Sequence, residues 1–276
     1  MIIKKETITS KSNPSVGLIT SLAEKKYRDR YGLFRTDGIK LAEEIFSHGI
    51  TPETVYFKES AVGRMLERFE GIDCEAVVLS DAIFDRVSEE KSPEGIICVI
   101  KHLDNLKKIA TIYNSEEFLQ GWRTDRIMLI ESLRDPGNLG TVIRSATALS
   151  MERLIISSDC ADLYNPKTVR ASMGTLFGMK IDVVDSLPRA AEMLKGLGRR
   201  VYAAALDREA VGLDKLTLTA TDCFAVGNEG HGLSSEMLAA STGKVFIPIT
   251  EGAESLNAAA AAAILLWEHR RQTVNS

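Results

Sequence analysis

The chain has 276 residues, 45% of them apolar and 26% charged, a composition typical of a globular protein long enough for two domains. Its net charge of −4 excludes a uniformly basic nucleic-acid-binding protein, yet residues 1–40 hold nine Lys and Arg against four Asp and Glu. The four cysteines are too widely spaced for a zinc site or a disulfide framework, and no apolar run could span a membrane, so we expect a cytoplasmic protein without a metal.

The first hundred residues predict a compact α/β domain. A helix is expected from Ser15, with Lys25, Lys26, Arg28 and Arg30 crowding its end, where cations are favourable. Further segments follow in alternation, with strands predicted at 31–35, 55–57, 76–79 and 96–100 and helices at 39–46, 64–69 and 81–87. Residues 103–124 lack this alternation and are predicted to form a linker.

A second alternation begins at Arg126 and predicts a mostly parallel sheet covered on both faces. Strands are expected at 127–131, 154–157, 179–184, 201–205, 223–226 and 245–247, and helices at 139–148, 167–176, 187–197, 235–240 and 256–271. Ligands of such sheets bind beside the loops that follow the carboxyl ends of the strands. Three of these loops carry unusual sequences.

The first loop, residues 133–146, runs from a strand through Asp-Pro-Gly into a helix that opens near Asn138. Arg144 follows six residues later, nearly two turns into that helix. Taken alone, Asn138 is a plausible N-cap and Arg144 an ordinary exposed arginine.

The second loop, residues 226–233, reads Val-Gly-Asn-Glu-Gly-His-Gly-Leu. Glycine at this density after a strand indicates close approach of backbone to a ligand or another segment. The loop lacks the dinucleotide-binding pattern G-x-G-x-x-G and the acidic residue that should follow it. His231 invites a catalytic interpretation, although a histidine between turn glycines is often merely tolerated.

The third loop, residues 246–257, joins a strand closed by Pro248 to a helix that opens with six alanines at 258–263. Gly252 permits the turn and Ser255 is expected to be the N-cap. Free N–H groups of the first helical turn point into the loop, where a polar ligand could bind. The alanines allow another backbone to approach closely, or they are simply good helix formers.

Together these loops resemble motifs one, two and three of the SpoU (TrmH-like) RNA 2'-O-ribose methyltransferases of the SPOUT class. The resemblance rests on three sequence patterns: Asn-x-Gly-x-x-x-Arg from Asn138, Gly-Asn-Glu-Gly-x-Gly-Leu from Gly227, and Ile-Pro-Ile followed by Glu-Ser-Leu-Asn ending at Asn257. Residues 8–14, 26–29 and 34–38 are similar to the substrate-binding domain often found ahead of that catalytic domain.

The resemblance implies an α/β SPOUT domain with a parallel sheet and a deep trefoil knot at 125–276. It also implies a smaller α/β (L30e-like) RNA-binding domain at 1–103, with a linker at 104–124. The implied cofactor is S-adenosylmethionine, bent in the knot and held largely by backbone groups, in a homodimer. The implied reaction is methyl transfer to a ribose 2'-hydroxyl of structured RNA, with ribosomal RNA favoured over transfer RNA.

The resemblance also implies roles for particular residues. The catalytic candidates are Arg144, Asn138, Glu229, Ser255 and Asn257, with Glu229 and Ser255 orienting Arg144 and the loops. The cofactor-binding candidates are Gly227, Asn228, Ile247, Leu256, Ser255 and Asn257. The RNA-binding candidates, including two in an RNA-facing loop after residue 165, are Lys25, Lys26, Arg28, Arg35, Lys167 and Arg170. Because a guanidinium stays protonated, Arg144 suits stabilisation of an alkoxide better than a base role, but the sequence leaves both open.

Two other classes of protein share part of this pattern. A nicotinamide-dependent oxidoreductase would share the α/β alternation but needs the missing dinucleotide fingerprint. An RNA-binding protein without catalysis would keep the excess of basic residues in 1–40 but could lose Arg144 and Asn138, and both are present.

Overall fold

The structure, a computed structural model, describes residues 2–3, 6–70, 73–109, 116–250 and 255–273. The chain divides into two compact units. Unit 1 comprises Met1–Leu103 with Tyr164–Gly178, and unit 2 comprises Asp104–Leu163 with Met179–Ser276. Each unit is described separately.

The described strands and helices alternate along much of the chain. The strands are β1 (Ile2–Ile3), β2 (Leu33–Asp37), β3 (Thr54–Lys58), β4 (Glu75–Leu79), β5 (Ile96–Lys101), β6 (Leu106–Ile109), β7 (Ile127–Ile130), β8 (Arg153–Ser157), β9 (Lys180–Val184), β10 (Val201–Ala204), β11 (Val211–Gly212), β12 (Cys223–Val226) and β13 (Gly243–Phe246). The α-helices are α1 (Pro14–Ser21), α2 (Lys25–Tyr31), α3 (Ile39–Ser47), α4 (Val62–Arg68), α5 (Asp81–Val87), α6 (Glu116–Thr124), α7 (Pro136–Ala148), α8 (Pro166–Ser172), α9 (Leu187–Gly196), α10 (Ser235–Ala240) and α11 (Ala258–Thr273).

Unit 1 is built on a sheet with the strand order β1-β4-β3-β5-β2. Strand β4 runs parallel to β1 and β3, whereas β5 runs antiparallel to β3 and β2. Ile19 of α1 and Phe84 of α5 pack with Tyr56 and Val77 of the sheet in one buried cluster. Burying each such side chain contributes roughly 1.5–3 kcal/mol, so this cluster holds both helices on the sheet.

The strands predicted at 55–57, 76–79 and 96–100 and the helix predicted at 81–87 are confirmed. The single helix expected from Ser15 is wrong, because α1 ends at Ser21 and α2 forms separately. The strand expected at 31–35 begins only at Leu33, since Gly32 takes a φ of 63° and ends α2.

Unit 2 contains a parallel sheet of eight strands in the order β11-β13-β10-β12-β7-β8-β9-β6. Ile127 and Leu129 of β7 and Ala225 of β12 pack with α6, α9 and α10 on one face. Because side chains alternate along a strand, Phe224 points to the other face, where its ring meets His269 of α11 edge-on at 6.5 Å. The α/β fold and the mostly parallel sheet predicted from the sequence are confirmed.

The helix predicted at 167–176 ends at Ser172, and a separate 3-10 turn follows at Thr175–Phe177. The break arises because Met173 and Gly174 take positive φ values of 51° and 88°, which end a right-handed helix.

The segment predicted as a linker contains regular structure, which corrects that prediction. Strand β6 pairs with β9 at the edge of the sheet in unit 2, and α6 follows, while residues 110–115 lie outside the described part. Trp122 of α6 is buried, and its Nε1 donates to Asp182 Oδ2 at 2.9 Å. The alternation was missed because β6 carries Lys107 and Lys108 at its centre, so its apolar signal is weak.

Among the described residues, none of the helices combines the length and the hydropathy needed to cross a lipid bilayer.

Candidate active site

A cavity of about 460 Å³ lies in unit 2 beside the carboxyl ends of β10, β12 and β13. This is the edge at which parallel sheets bind ligands, and the volume is within the range of small-molecule sites. Its walls come mainly from the segments that follow these three strands, and they include Leu206, Asp207, Glu229, His231, Leu233, Phe246, Ala258 and Ala261. Of the six predicted cofactor-binding residues, five line the cavity, namely Gly227, Asn228, Ile247, Ser255 and Leu256, and Asn257 does not.

The loop after β12 folds back tightly on itself. Asn228 and Gly232 exchange backbone hydrogen bonds of 3.0 and 2.9 Å, and Gly232 takes a φ of 68°. A Cβ on Gly227 would lie 2.3 Å from the Gly232 carbonyl and 2.5 Å from the nitrogen of Leu233. Glycine at 227 is therefore required by the approach of backbone, as the sequence indicated.

Three hydrogen bonds tie this loop to the residues that follow β7. Asn228 Nδ2 donates to the backbone oxygen of Ser132 at 2.9 Å. The backbone nitrogen and the hydroxyl of Ser234 donate to the two carboxylate oxygens of Glu131, which is 8% exposed. The sequence analysis missed Glu131 and Ser234, although a glutamate at the end of an apolar strand is a signal for a polar anchor.

Asn138 lies in the first turn of α7 and joins two of the sequence motifs. The N-cap of α7 is Asp135, whose Oδ1 accepts from the Asn138 nitrogen at 2.8 Å, so the interpretation of Asn138 as the cap is wrong. The Asn138 side chain is thereby free to act elsewhere, and its Nδ2 donates to Glu229 Oε1 at 2.6 Å.

Asn257 brings the third motif to the same place. Its Nδ2 donates to Asn138 Oδ1 at 3.2 Å, while its own Oδ1 accepts from the backbone nitrogens of Ala259 and Ala260 at 2.9 and 3.3 Å. Asn257 is therefore the N-cap of α11, which corrects the assignment of that role to Ser255. The turn expected at Gly252 lies outside the described residues.

Arg144 lies on the exposed side of α7. Among the described residues, its guanidinium makes no hydrogen bond or ion pair. The expectation that Glu229 orients Arg144 is not met, because the hydrogen bond of Glu229 goes to Asn138. An unengaged guanidinium remains available for an anionic ligand.

A further polar cluster lies at the carboxyl ends of β7 and β8. The Ser132 hydroxyl donates to Asp159 Oδ2 and the Ser157 hydroxyl to Asp159 Oδ1, each at 2.6 Å, while Arg134 lies 3.6 Å away. Partial burial opposes ionisation of Asp159, but the two hydroxyl donors outweigh it and lower the pKa of the carboxyl. The sequence analysis did not single out this cluster. Its ionised Asp159 carboxylate accepts hydrogen bonds that hold Ser132, before α7, in place.

Two predicted RNA contacts are contradicted by burial in unit 1. Arg28 is 2% exposed, and its guanidinium donates to the backbone oxygens of Leu22 and Ala23 at 2.7 Å each. Arg35 is 3% exposed and forms an ion pair with Asp37 at 2.6 Å. Both arginines are bound inside the unit and therefore do not reach a phosphate.

The other predicted RNA contacts lie on the surface. Lys25 pairs with Asp29 at 2.6 Å, and Lys26 pairs with Glu24 at 2.8 Å, all with largely exposed side chains. In α8, Lys167 and Arg170 are exposed, and Arg170 lies 3.4 Å from Glu89 within unit 1. Asn165 caps this helix through its side-chain oxygen.

Two protein-family models match this chain, each in a different part of it. The model of the SpoU rRNA Methylase family matches residues 125–267, and the MRM3-like substrate binding domain matches residues 13–98. A Bacillus subtilis (strain 168) protein named 23S rRNA (guanosine(2553)-2'-O)-methyltransferase RlmP is 34% identical over 266 residues, covering 95% of this chain and 98% of that protein. A Streptomyces viridochromogenes protein named 23S rRNA (uridine(2479)-2'-O)-methyltransferase is 29% identical, covering 92% of this chain and 88% of that protein.

Solved structures agree with the sequence comparisons. A crystal structure described as an RNA 2'-O ribose methyltransferase has a TM-score of 0.80 and 27% identity to this chain, and the match covers 97% of this chain and 99% of that one.

Proposed function

Because this chain belongs to the SpoU rRNA methylase family, we propose that it transfers a methyl group from S-adenosylmethionine to a ribose 2'-hydroxyl of ribosomal RNA. One observation links the proposed activity to particular residues. The hydrogen-bonded chain Asn257–Asn138–Glu229 joins side chains that are 119 and 91 positions apart in sequence, beside the cavity at the strand ends. The three motifs therefore meet at one site.

The cavity fits the proposed cofactor. A volume of about 460 Å³ is sufficient for a nucleoside-sized ligand. Seven of the 21 lining residues are glycine or alanine, whose small side chains let a ligand approach the backbone, and we propose that backbone groups of Gly227, Ile247 and Leu256 hold it. When bound, S-adenosylmethionine supplies a methyl group already activated on a sulfonium, so the protein has mainly to align the acceptor hydroxyl.

In the proposed mechanism, the 2'-hydroxyl loses its proton to solvent water as its oxygen takes the methyl group. Arg144 faces the ribose and stabilises the negative charge that develops at that oxygen. A guanidinium is effectively always protonated, so this role fits Arg144 better than that of a base. Asn138 acts as a positioning residue, because its amide is fixed from both sides by Glu229 and Asn257. Ser255 completes the wall of the cavity.

For RNA binding, we propose that the domain at 1–103 holds the substrate and that 125–276 is the catalytic domain. The match of residues 13–98 to a substrate-binding domain supports this division. Exposed Lys25, Lys26, Lys167 and Arg170 would contact phosphates. An L30e-like architecture for the first domain is part of the same proposal.

We also propose that unit 2 is knotted and that the protein is a homodimer. Close passage of backbone at Gly227, and the buried alanines Ala258, Ala259 and Ala262 of α11, support tight crossing of segments. On the same helix, Trp267 is 56% exposed and Ile264 is 38% exposed. Apolar side chains exposed at spacing i, i+3 suit burial against a second copy.

Purified protein, labelled S-adenosylmethionine and ribosomal RNA test the activity directly. The expected product is a 2'-O-methylnucleoside, identified by mass spectrometry after nuclease digestion, and transfer RNA should be a poorer acceptor. S-adenosylmethionine should raise the melting temperature, whereas NAD should not. Stabilisation by NAD, or label recovered in bases alone, would contradict the proposal, and binding of RNA without transfer would identify an inactive member of the family.

A further inference from the structure

Helix α2 of unit 1 presents two tyrosine rings side by side at the surface. Tyr27 and Tyr31 are four positions apart and so share one face of the helix. Their ring centroids are 6.2 Å apart and their planes differ by only 12°. Tyr31 is 44% exposed and Tyr27 is half-buried. Aligned aromatic rings at a surface are available for stacking by a planar ligand.

A cation lies over each ring. Lys26 Nζ is 4.7 Å from the centroid of Tyr27, and Arg30 Cζ is 5.6 Å from that of Tyr31. The charge of Lys26 is partly neutralised by Glu24 at 2.8 Å. Arg30 forms no ion pair within the part of the chain that the structure describes. Its charge is therefore available to an anion beside the Tyr31 ring.

The buried side of α2 fixes the orientation of this aromatic face. The guanidinium of Arg28 donates to the carbonyls of Leu22 and Ala23, the two residues that follow α1. At the other end, the Gly32 nitrogen donates to the Arg28 oxygen at 2.8 Å, and β2 begins one residue later. The two rings thus sit on a helix anchored at both ends.

We propose that Tyr27, Tyr31 and Arg30 form a stacking site for an unpaired base of the RNA, with Arg30 contacting its phosphate. This inference rests on the proposed function. Aromatic side chains recognise unpaired bases through their π faces, whereas paired bases inside a duplex expose only edges. Lys25 and Lys26 pair with Asp29 and Glu24, but exposed ion pairs are weak, so both lysines remain available to phosphates while the rings add a stacking contact.

Fluorescence anisotropy with the whole 276-residue chain separates stacking from charge. Three labelled 12-nucleotide probes are compared: oligo(A), an abasic oligomer with the same phosphates, and an A–U duplex. Replacing one aromatic ring that stacks on a base typically lowers the affinity for single-stranded nucleic acid by roughly 5- to 150-fold. We expect Tyr31→Leu to weaken oligo(A) binding about tenfold and to leave abasic binding unchanged, whereas Tyr31→Phe binds like wild type.

Replacing Arg30 is expected to change the affinities for these probes in a different way. Arg30→Gln should weaken oligo(A) and abasic binding by the same factor and reduce the log–log salt slope by about 0.7, the value for one phosphate contact on a single strand. Thermal melts check that the variants remain folded, as is expected for exposed positions.

Wild-type affinity of Tyr31→Leu for oligo(A), or an equal loss on the abasic probe, overturns the stacking site. Methyl transfer by the wild-type protein is measured in parallel. If the wild type methylates ribosomal RNA but Tyr31→Leu binds normally, only the stacking site fails. If the wild type transfers no methyl group while Tyr31→Leu loses oligo(A) selectively, the proposed activity fails and the stacking site stands.

Discussion

Replacing Gly227 by alanine perturbs the tightest backbone approach at the candidate active site. The added Cβ would lie 2.3 Å from the Gly232 carbonyl, whereas ordinary contact begins at 3.4 Å. The two arms of the loop must therefore separate by about 1 Å. They resist this movement because Asn228 is bonded to Gly232 on one side and to the Ser132 oxygen on the other.

The expected cost combines two effects. Overpacking typically costs about 1–3 kcal/mol, and each hydrogen bond lost between the arms costs about 1 kcal/mol. We therefore expect Gly227→Ala to lower the free energy of unfolding by about 2–4 kcal/mol, and the melting temperature by about 5–12 °C for a unit of this size. Affinity for S-adenosylmethionine should fall at least about tenfold, because Gly227 lines the cavity.

Gly230→Ala is a matched control in the same loop. Its added Cβ would meet only the Asn228 side-chain oxygen, at 3.4 Å. Gly230 also lines the cavity, but its added Cβ displaces no backbone. Urea unfolding should therefore change by no more than about 0.5 kcal/mol, and calorimetry should give a much smaller loss of cofactor affinity than for Gly227→Ala. Equal behaviour of the two alanine variants would refute the reasoning, because it would mean that the backbone approach at Gly227 is not constraining.

Three further predictions concern single side chains. Asn138→Asp places a carboxylate against Glu229 Oε1 where an amide now donates at 2.6 Å, so methyl transfer near neutral pH should fall at least about tenfold and recover in part as the pH is lowered and one carboxyl is protonated. Arg144→Ala should cut single-turnover methyl transfer by about 10²–10⁴-fold with nearly unchanged cofactor affinity, and Arg144→Lys should recover the rate only if charge suffices without the planar fork. Burial lowers the pKa of His269, whose Nε2 donates to the backbone oxygen of Asp222 at 3.1 Å, so the unfolded chain binds the proton more readily. The stabilising contribution of neutral His269 should be fully present above about pH 6.5, the value for the unfolded chain, and should decline as the pH falls below it. His269→Gln should flatten this part of the pH dependence in urea titrations.

The sequence indicated which loops form the site because strand ends, glycines and polar residues are local features. It did not indicate which side chains bond to one another. Glu229 engages Asn138 rather than Arg144, and the partner lies 91 positions away, so the pairing depends on how the strands are ordered in the sheet.

The residue that caps the start of a helix was harder to predict than the presence of the helix. Asp135 caps α7 and Asn257 caps α11, each within three residues of the predicted cap. Several nearby side chains have the chemistry of a cap, and only the path of the backbone selects one of them.

Positive charge was visible in the sequence, but burial was not. Arg28 and Arg35 count toward the basic character of residues 1–40, yet both are inside unit 1. A signal for Arg35 existed, since Asp37 follows two positions later and therefore lies on the same face of β2. The acceptors of Arg28 include the backbone oxygens of Leu22 and Ala23, just after α1, and a backbone acceptor leaves no mark in the sequence.

Nucleoside mass spectrometry of ribosomal RNA, from cells with and without this protein, measures ribose methylation itself. We predict that 2'-O-methylation disappears at a defined ribosomal RNA nucleotide when the protein is removed, returns with the wild-type chain, and does not return with Arg144→Ala. Unchanged ribose methylation across the ribosomal RNA, or full restoration by Arg144→Ala, would contradict the assignment of this chain as a 2'-O-methyltransferase that uses Arg144.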